Sequence, residues 1–141
     1  VLRILAAYSP RVDSGDADGV ADLWTEDGVY DVDTGILEGH EGIGAMVRGD
    51  AHQGLLAHGC GHVPGLPVVL LDGDRAVATG YTQLVVRSSR PGRYTVIRVT
   101  ANRWELERRG PAEAADRGWR VVLRRGQSPA RTVPRQVAWP T

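Results

Sequence analysis

The chain has 141 residues, enough for one domain with its own core, and its single cysteine, Cys60, allows no intramolecular disulfide. Its 17 basic residues balance its 17 acids, so a general nucleic-acid-binding role, which needs a basic face, is disfavoured. No run approaches the roughly 18 apolar residues that span a bilayer. The opening stretch breaks at Pro10 without a small-residue cleavage site, so a soluble cytoplasmic protein is expected.

The charge is unevenly spread. Residues 1–74 carry 13 acids against Arg3, Arg11 and Arg48, whereas residues 75–141 carry 14 arginines against four acids. The halves should attract, and the pattern predicts an acidic helical half packed on a basic sheet half.

In chain order, Leu2, Leu5, Tyr8 and Val12 recur at helical spacing and end in the polar turn Asp13 to Asp16; Pro10 predicts a kink or an early stop. Asp16 can cap a second helix, with Val20, Leu23 and Trp24 as its buried stripe and Glu26 to Gly28 as its end. Residues 29–32 suit a short strand and 35–39 a turn. Ile43, Met46 and Val47 mark a third helix that starts near His40 and holds His52 late in its length, both histidines solvated.

Beyond residue 57 the pattern becomes extended. Residues 67–71 and 76–87 predict a hairpin about Asp72 and Gly73; residues 93–108 and 118–125 predict another pair across the loop 110–117. Helices followed by an antiparallel meander make an α+β order. The proline-bearing segment 126–141 reads as an irregular tail after a domain of residues 1–125, anchored by Val133, Val137 and Trp139.

Tyr8 with Asp13 to Asp16, the string Leu23-Trp24 to Tyr30, and Leu37 to Ile43 resemble the SnoaL-like family of the nuclear-transport-factor-2-like superfamily. Gly61 to Val63, Asp72 to Ala76, Asn102 to Leu106 and Gly118 to Val121 resemble its sheet strands in order. The resemblance implies a cone: a strongly curved antiparallel sheet, cystatin-like, with three N-terminal helices around one hydrophobic pocket. It also implies scytalone dehydratase-, bile-acid dehydratase- or polyketide cyclase-like chemistry without cofactor or metal, and a homodimer formed by the outer faces of the long strands.

In dehydratase-like members a Tyr and an Asp sit five apart at the end of the first helix, matching Tyr8 and Asp13, and a strand His matches His62. The implied roles are His62 as general base then acid, Asp13 as its orienter and Tyr8 as donor to a substrate oxygen. Each residue also has a plain reading: Asp13 satisfying turn donors, Tyr8 half-buried in the core, His62 structural. Tyr30 falls near a family tyrosine and is a second donor candidate.

By period two, Thr100, Asn102, Trp104 and Leu106 share one face, so Asn102 would meet a ligand or bond within the core. Trp24, Trp104 and Trp119 read as cavity wall and core. Arg125 shares parity with Trp119 and Val121 and is expected to reach inward, unless a bulge substitutes Arg124. His58, Cys60 and His62 alternate, which on a strand would align them, but their spacing matches no common zinc motif and Cys60 reads as a small buried hydrophobe. Residues 76–108 contain no Asp, against epoxide opening of the limonene epoxide hydrolase kind. The place of the ketosteroid isomerase base falls near Val32, between Asp31 and Asp33. A lyase or isomerase acting on a hydrophobic polycyclic or aromatic metabolite is expected; the alternative is a non-catalytic ligand-binding or subunit-association module.

Overall fold

The chain opens with helix α1, Leu2–Asp13, whose buried stripe is Ile4, Tyr8 and Val12, while Leu2 is exposed. The computed structural model describes residues 1–110, 112–114 and 116–129. Pro10 does not end α1. Its ring faces solvent, and the Ser14 N–H still donates to the Pro10 carbonyl at 3.1 Å, so only the bond Pro10 cannot donate is lost.

Helix α2, Ala17–Ala21, is capped by the Asp16 carboxylate, which accepts from the Gly19 N–H at 2.9 Å. It stops well short of the expected Glu26. Trp24 instead begins strand β1, Trp24–Val32, which pairs in parallel with a strand about a hundred residues later. That pairing shifts register between Trp24 and Val29, so Glu26 to Gly28, read from sequence as a helix stop, is an irregularity within a strand.

Residues expected as a turn form strand β2, Gly35–Glu38, antiparallel to β1. The predicted third helix is two: α3, Gly39–Arg48, and α4, Asp50–His58, broken where Gly49 adopts extended backbone. Ile43 and Val47 of α3 are fully buried. No helix among the described residues is long and apolar enough to cross a membrane.

Five strands follow: β3 (Cys60–Pro64), β4 (Val68–Asp72), β5 (Arg75–Arg87), β6 (Tyr94–Arg108) and β7 (Trp119–Gln127). The sheet order is β2-β1-β7-β6-β5-β3, with β4 also paired to β5, and every pairing is antiparallel except β1 with β7. The sheet curves without closing, and the buried side chains of α1, α2 and α3 join Trp24, Ala78, Trp104, Leu106, Trp119 and Val121 in one core. This is the α+β cone anticipated from sequence, with four helical segments among the described residues in place of three.

The β6–β7 pairing carries a bulge that decides which arginine enters the cone. Glu105 pairs with Leu123 but Leu106 pairs with Val121, leaving Val122 as an extra residue and reversing side-chain parity beyond it. Arg124 therefore points in and is 2% exposed. The expected Arg125 points out, 3.6 Å from Asp31.

Strand β7 runs to Gln127, two residues into the segment read as tail. Val133, Val137 and Trp139 lie outside the described residues. The opposed charges of the two halves meet through Arg108 with Asp74, Arg109 with Asp27 and Arg125 with Asp31. Among the described residues these are contacts of strands and turns; none joins a helix acid to an arginine of the sheet, contrary to the expected packing of acidic helices on a basic sheet.

Candidate active site

Asp13 closes α1 and His62 sits in β3, and the packing of α1 against β3 joins their side chains. Asp13 Oδ1 accepts from His62 Nδ1 at 2.6 Å, and Asp13 Oδ2 accepts from the His62 backbone N–H at 2.8 Å. A carboxylate holding both donors fixes the imidazole's rotation and places its proton on Nδ1, an assignment made from the bonding pattern. Nε2 then carries a lone pair and has no hydrogen-bond partner among the described residues. Burial pushes the His62 pKa below its ordinary value; Asp13 raises it, and the positive Arg124 and neighbouring His52 lower it. The ring is therefore a neutral base at pH 7.

Gly59, at φ +83°, turns the chain sharply from α4 into β3. His58 consequently ends α4, so the expected alignment of His58, Cys60 and His62 on one strand does not occur. Cys60 is half-buried, and burial raises its thiol pKa. The other two histidines are not solvated as expected. His52 is buried, its Nε2 donating to the Val12 carbonyl at 2.8 Å, and His40 Nε2 donates to the Trp24 carbonyl at 3.0 Å.

The floor of the cone is aromatic around one cation. The Arg124 guanidinium lies 4.1 Å from the Trp104 ring centre, 4.3 Å from Tyr8 and 4.4 Å from Tyr30. Its Nε and Nη2 donate to Asn102 Oδ1 at 3.1 and 2.9 Å. Nη1 is buried without a partner among the described residues, as is Trp24 Nε1. Asn102 in turn donates through Nδ2 to Thr82 Oγ at 3.1 Å and to the Thr100 carbonyl at 3.2 Å. Gly126, opposite Asn102, leaves room for this network: a Cβ there would stand 3.2 Å from Asn102 Oδ1.

Tyr8 links the two centres. Its buried ring is edge-on to Trp24, Trp104 and His62, with centroid separations of 5.8, 5.6 and 6.3 Å. Burial raises the Tyr30 pKa, so that phenol stays protonated. Of the residues anticipated from sequence, Tyr8, Asp13, Trp24, Tyr30, His62, Asn102 and Trp104 lie on or beside this connected set, and Arg125 does not.

A recess of about 310 Å³ opens beside it, lined among others by Leu5, Tyr8, Tyr81, Thr82, Asn102 and Trp104. A larger recess of about 750 Å³, lined by Asp22, Glu26, Asp27, His40, Arg109 and Arg120 among others, lies away from the dyad. The smaller one meets the set through Tyr8, Thr82, Asn102 and Trp104, whereas Asp13 and His62 line neither recess. Sequence reading missed Thr82 altogether and took His52 for a solvated residue. Thr82 is legible only through register, which pairs it with Thr100 on the inward face.

Residues 1–125 match the family described as SnoaL-like domain. An NTF2-like protein with a cystatin-like fold from Novosphingobium aromaticivorans is 36% identical, with a TM-score of 0.83 over 92% of this chain and 80% of that one. ActVI-ORFA from Streptomyces coelicolor superposes with a TM-score of 0.74 at 19% identity, over 90% of this chain and 93% of its own. A Catenulispora acidiphila protein solved in complex with S-DNPA gives 0.72 at 21% identity, over 94% and 92%. The last two likenesses concern the fold alone. No curated protein matches the sequence.

Proposed function

Starting from a chain that belongs to the SnoaL-like domain family, we propose that it is a cofactor-independent lyase or isomerase, of dehydratase or cyclase type, acting on a hydrophobic aromatic or polycyclic carbonyl compound. The observation that carries this reading is the Asp13–His62 dyad, with Nδ1 held by the carboxylate and Nε2 without a hydrogen-bond partner among the described residues.

His62 Nε2 takes a proton from the carbon beside the substrate carbonyl, and Asp13 stabilises the imidazolium that forms. In the elimination form of the reaction, the C–H electron pair becomes the new C=C bond and the bond to a β-hydroxyl breaks. The proton on His62 passes to the departing oxygen, which leaves as water. In the isomerisation form the same proton returns to a different carbon. Tyr8, beside His62, donates to a substrate oxygen. A structural neighbour 21% identical was solved in complex with S-DNPA, which supports reading this fold as one that holds a ligand.

Exchange of protons next to a carbonyl tests the shared first step without knowledge of the substrate. With α-tetralone and related cyclic ketones in D2O, the wild-type protein is expected to accelerate deuterium incorporation, followed by NMR. A second reading, ligand binding without turnover, is favoured by the packing of Tyr8, Tyr30 and Trp104 around Arg124 inside the cone. Thermal stabilisation by these ketones with no exchange in any of them would select it.

The proposal includes a homodimer through the outer faces of β5 and β6, where Tyr81, Tyr94, Val96, Ile97 and Val99 are exposed. Sedimentation at micromolar concentration should give twice the chain mass, and a monomer would reject the dimer.

A further inference from the structure

The donor inventory around Asn102 leaves Arg124 Nη1 and the Thr82 hydroxyl hydrogen without acceptors among the described residues, and of the two only Thr82 lines the smaller recess. Arg124 can only donate, so the two bonds it makes at 3.1 and 2.9 Å fix the Asn102 oxygen on its side. The Asn102 amide nitrogen must then face away from Arg124. Its two hydrogens go to the Thr82 hydroxyl at 3.1 Å and the Thr100 carbonyl at 3.2 Å. Thr82 Oγ is thereby forced to be an acceptor in that bond, and its own hydrogen is left to be donated. Among the described residues that hydrogen has no acceptor, yet Thr82 is 8% exposed and what it exposes lines the recess with Asn102, Tyr8 and Trp104.

We propose that the Thr82 hydroxyl is the donor that receives the carbonyl oxygen of the ligand, and the developing enolate oxygen when the ligand reacts. The chain Arg124 to Asn102 to Thr82 runs donor to acceptor in one direction from a permanent cation. Each bond polarises the next, and the terminal hydroxyl becomes a stronger donor than an isolated threonine. This suits an oxygen that gains negative charge, while the guanidinium itself stays behind the wall, held by Asn102 and three aromatic rings. The ligand class is therefore an organic carbonyl compound with an apolar body, bound with its oxygen on Thr82. The inference rests on the proposed function for its catalytic consequence, but the binding contact stands apart from turnover.

The probe is acetophenone labelled with 13C at the carbonyl, titrated into wild-type protein, Thr82→Val, which keeps the side chain's shape, and Thr82→Ser, which keeps its hydroxyl. Wild type should bind saturably and move the carbonyl resonance downfield. Thr82→Val should lose about tenfold in affinity and most of the downfield shift, and Thr82→Ser should restore both. Equal affinity and shift in wild type and Thr82→Val overturns the proposal, as does absence of saturable binding to wild type. A Thr82-dependent shift without any α-proton exchange would reject the catalytic reading and leave this one standing; exchange with a shift indifferent to Thr82 would do the reverse.

Discussion

The two polar centres of the cone solve opposite problems. At the junction of α1 and β3, His62 is 17% exposed beside the Asp13 carboxylate and can take up a proton; at the floor, Arg124 is an almost fully buried guanidinium that only donates. A group that must take and release protons needs moderate burial, because full desolvation would hold it neutral. A group whose purpose is a constant field gains from burial, where low dielectric strengthens it, provided something offsets the cost. Asn102 and the faces of Tyr8, Tyr30 and Trp104 supply that offset here. Tyr8 packs against both centres, its ring under the Arg124 guanidinium and edge-on to His62.

The largest effect should come from the titrating centre. His62→Gln should reduce α-proton exchange by about 10²- to 10⁴-fold, the usual contribution of a positioned general base. Asp13→Asn should lose less, since the base remains but its tautomer and orientation are no longer imposed. Rates within a factor of two of wild type in both variants would reduce the dyad to a structural pair.

The floor should be broken next, through stability. Arg124→Ala removes a packed side chain and strands the Asn102 oxygen, at a cost of about 2–5 kcal/mol. The adjacent Arg125→Ala removes only an exposed contact with Asp31 and should cost under about 1 kcal/mol. Urea denaturation of the two variants measures the difference. Equal costs would mean that the β7 bulge does not set which arginine is inside.

That pair of neighbours also shows what the sequence could reveal. The dyad was legible because Tyr8 and Asp13 lie in one helix at a fixed spacing and His62 lies in a short strand; local periodicity and the family resemblance reach that far. The inward set Asn102, Trp104 and Leu106 was legible for the same reason, since β6 keeps strict alternation there. Arg124 was not, because one extra residue at Val122 inverts parity and the sequence signals the bulge no more strongly than regular pairing. The helix expected through Trp24 failed for a related cause: the parallel partner of β1 is about a hundred residues away, and long-range pairing overrode local pattern. His52 was hidden because its acceptor, the Val12 carbonyl, belongs to another helix.

The smallest and most diagnostic effect is a pair of opposite shifts at one ring. Burial already holds the His62 pKa below 6.5, with Asp13 raising it and Arg124 lowering it. Asp13→Asn should therefore move it further down, and Arg124→Met should move it up, as followed by NMR titration of the imidazole. Because the folded value lies below the unfolded one, the unfolded chain binds the proton first as pH falls. Stability contributed by neutral His62 is thus complete above the unfolded pKa and declines as pH drops through 6.5 toward the folded value. Exchange activity, which needs the same neutral ring, should persist to lower pH than that of an ordinary histidine base. Its acid limb should follow the two variants in the same directions. A His62 pKa unmoved by Arg124→Met would show that the floor's charge does not reach the dyad, and the two centres would then be independent features of one cone.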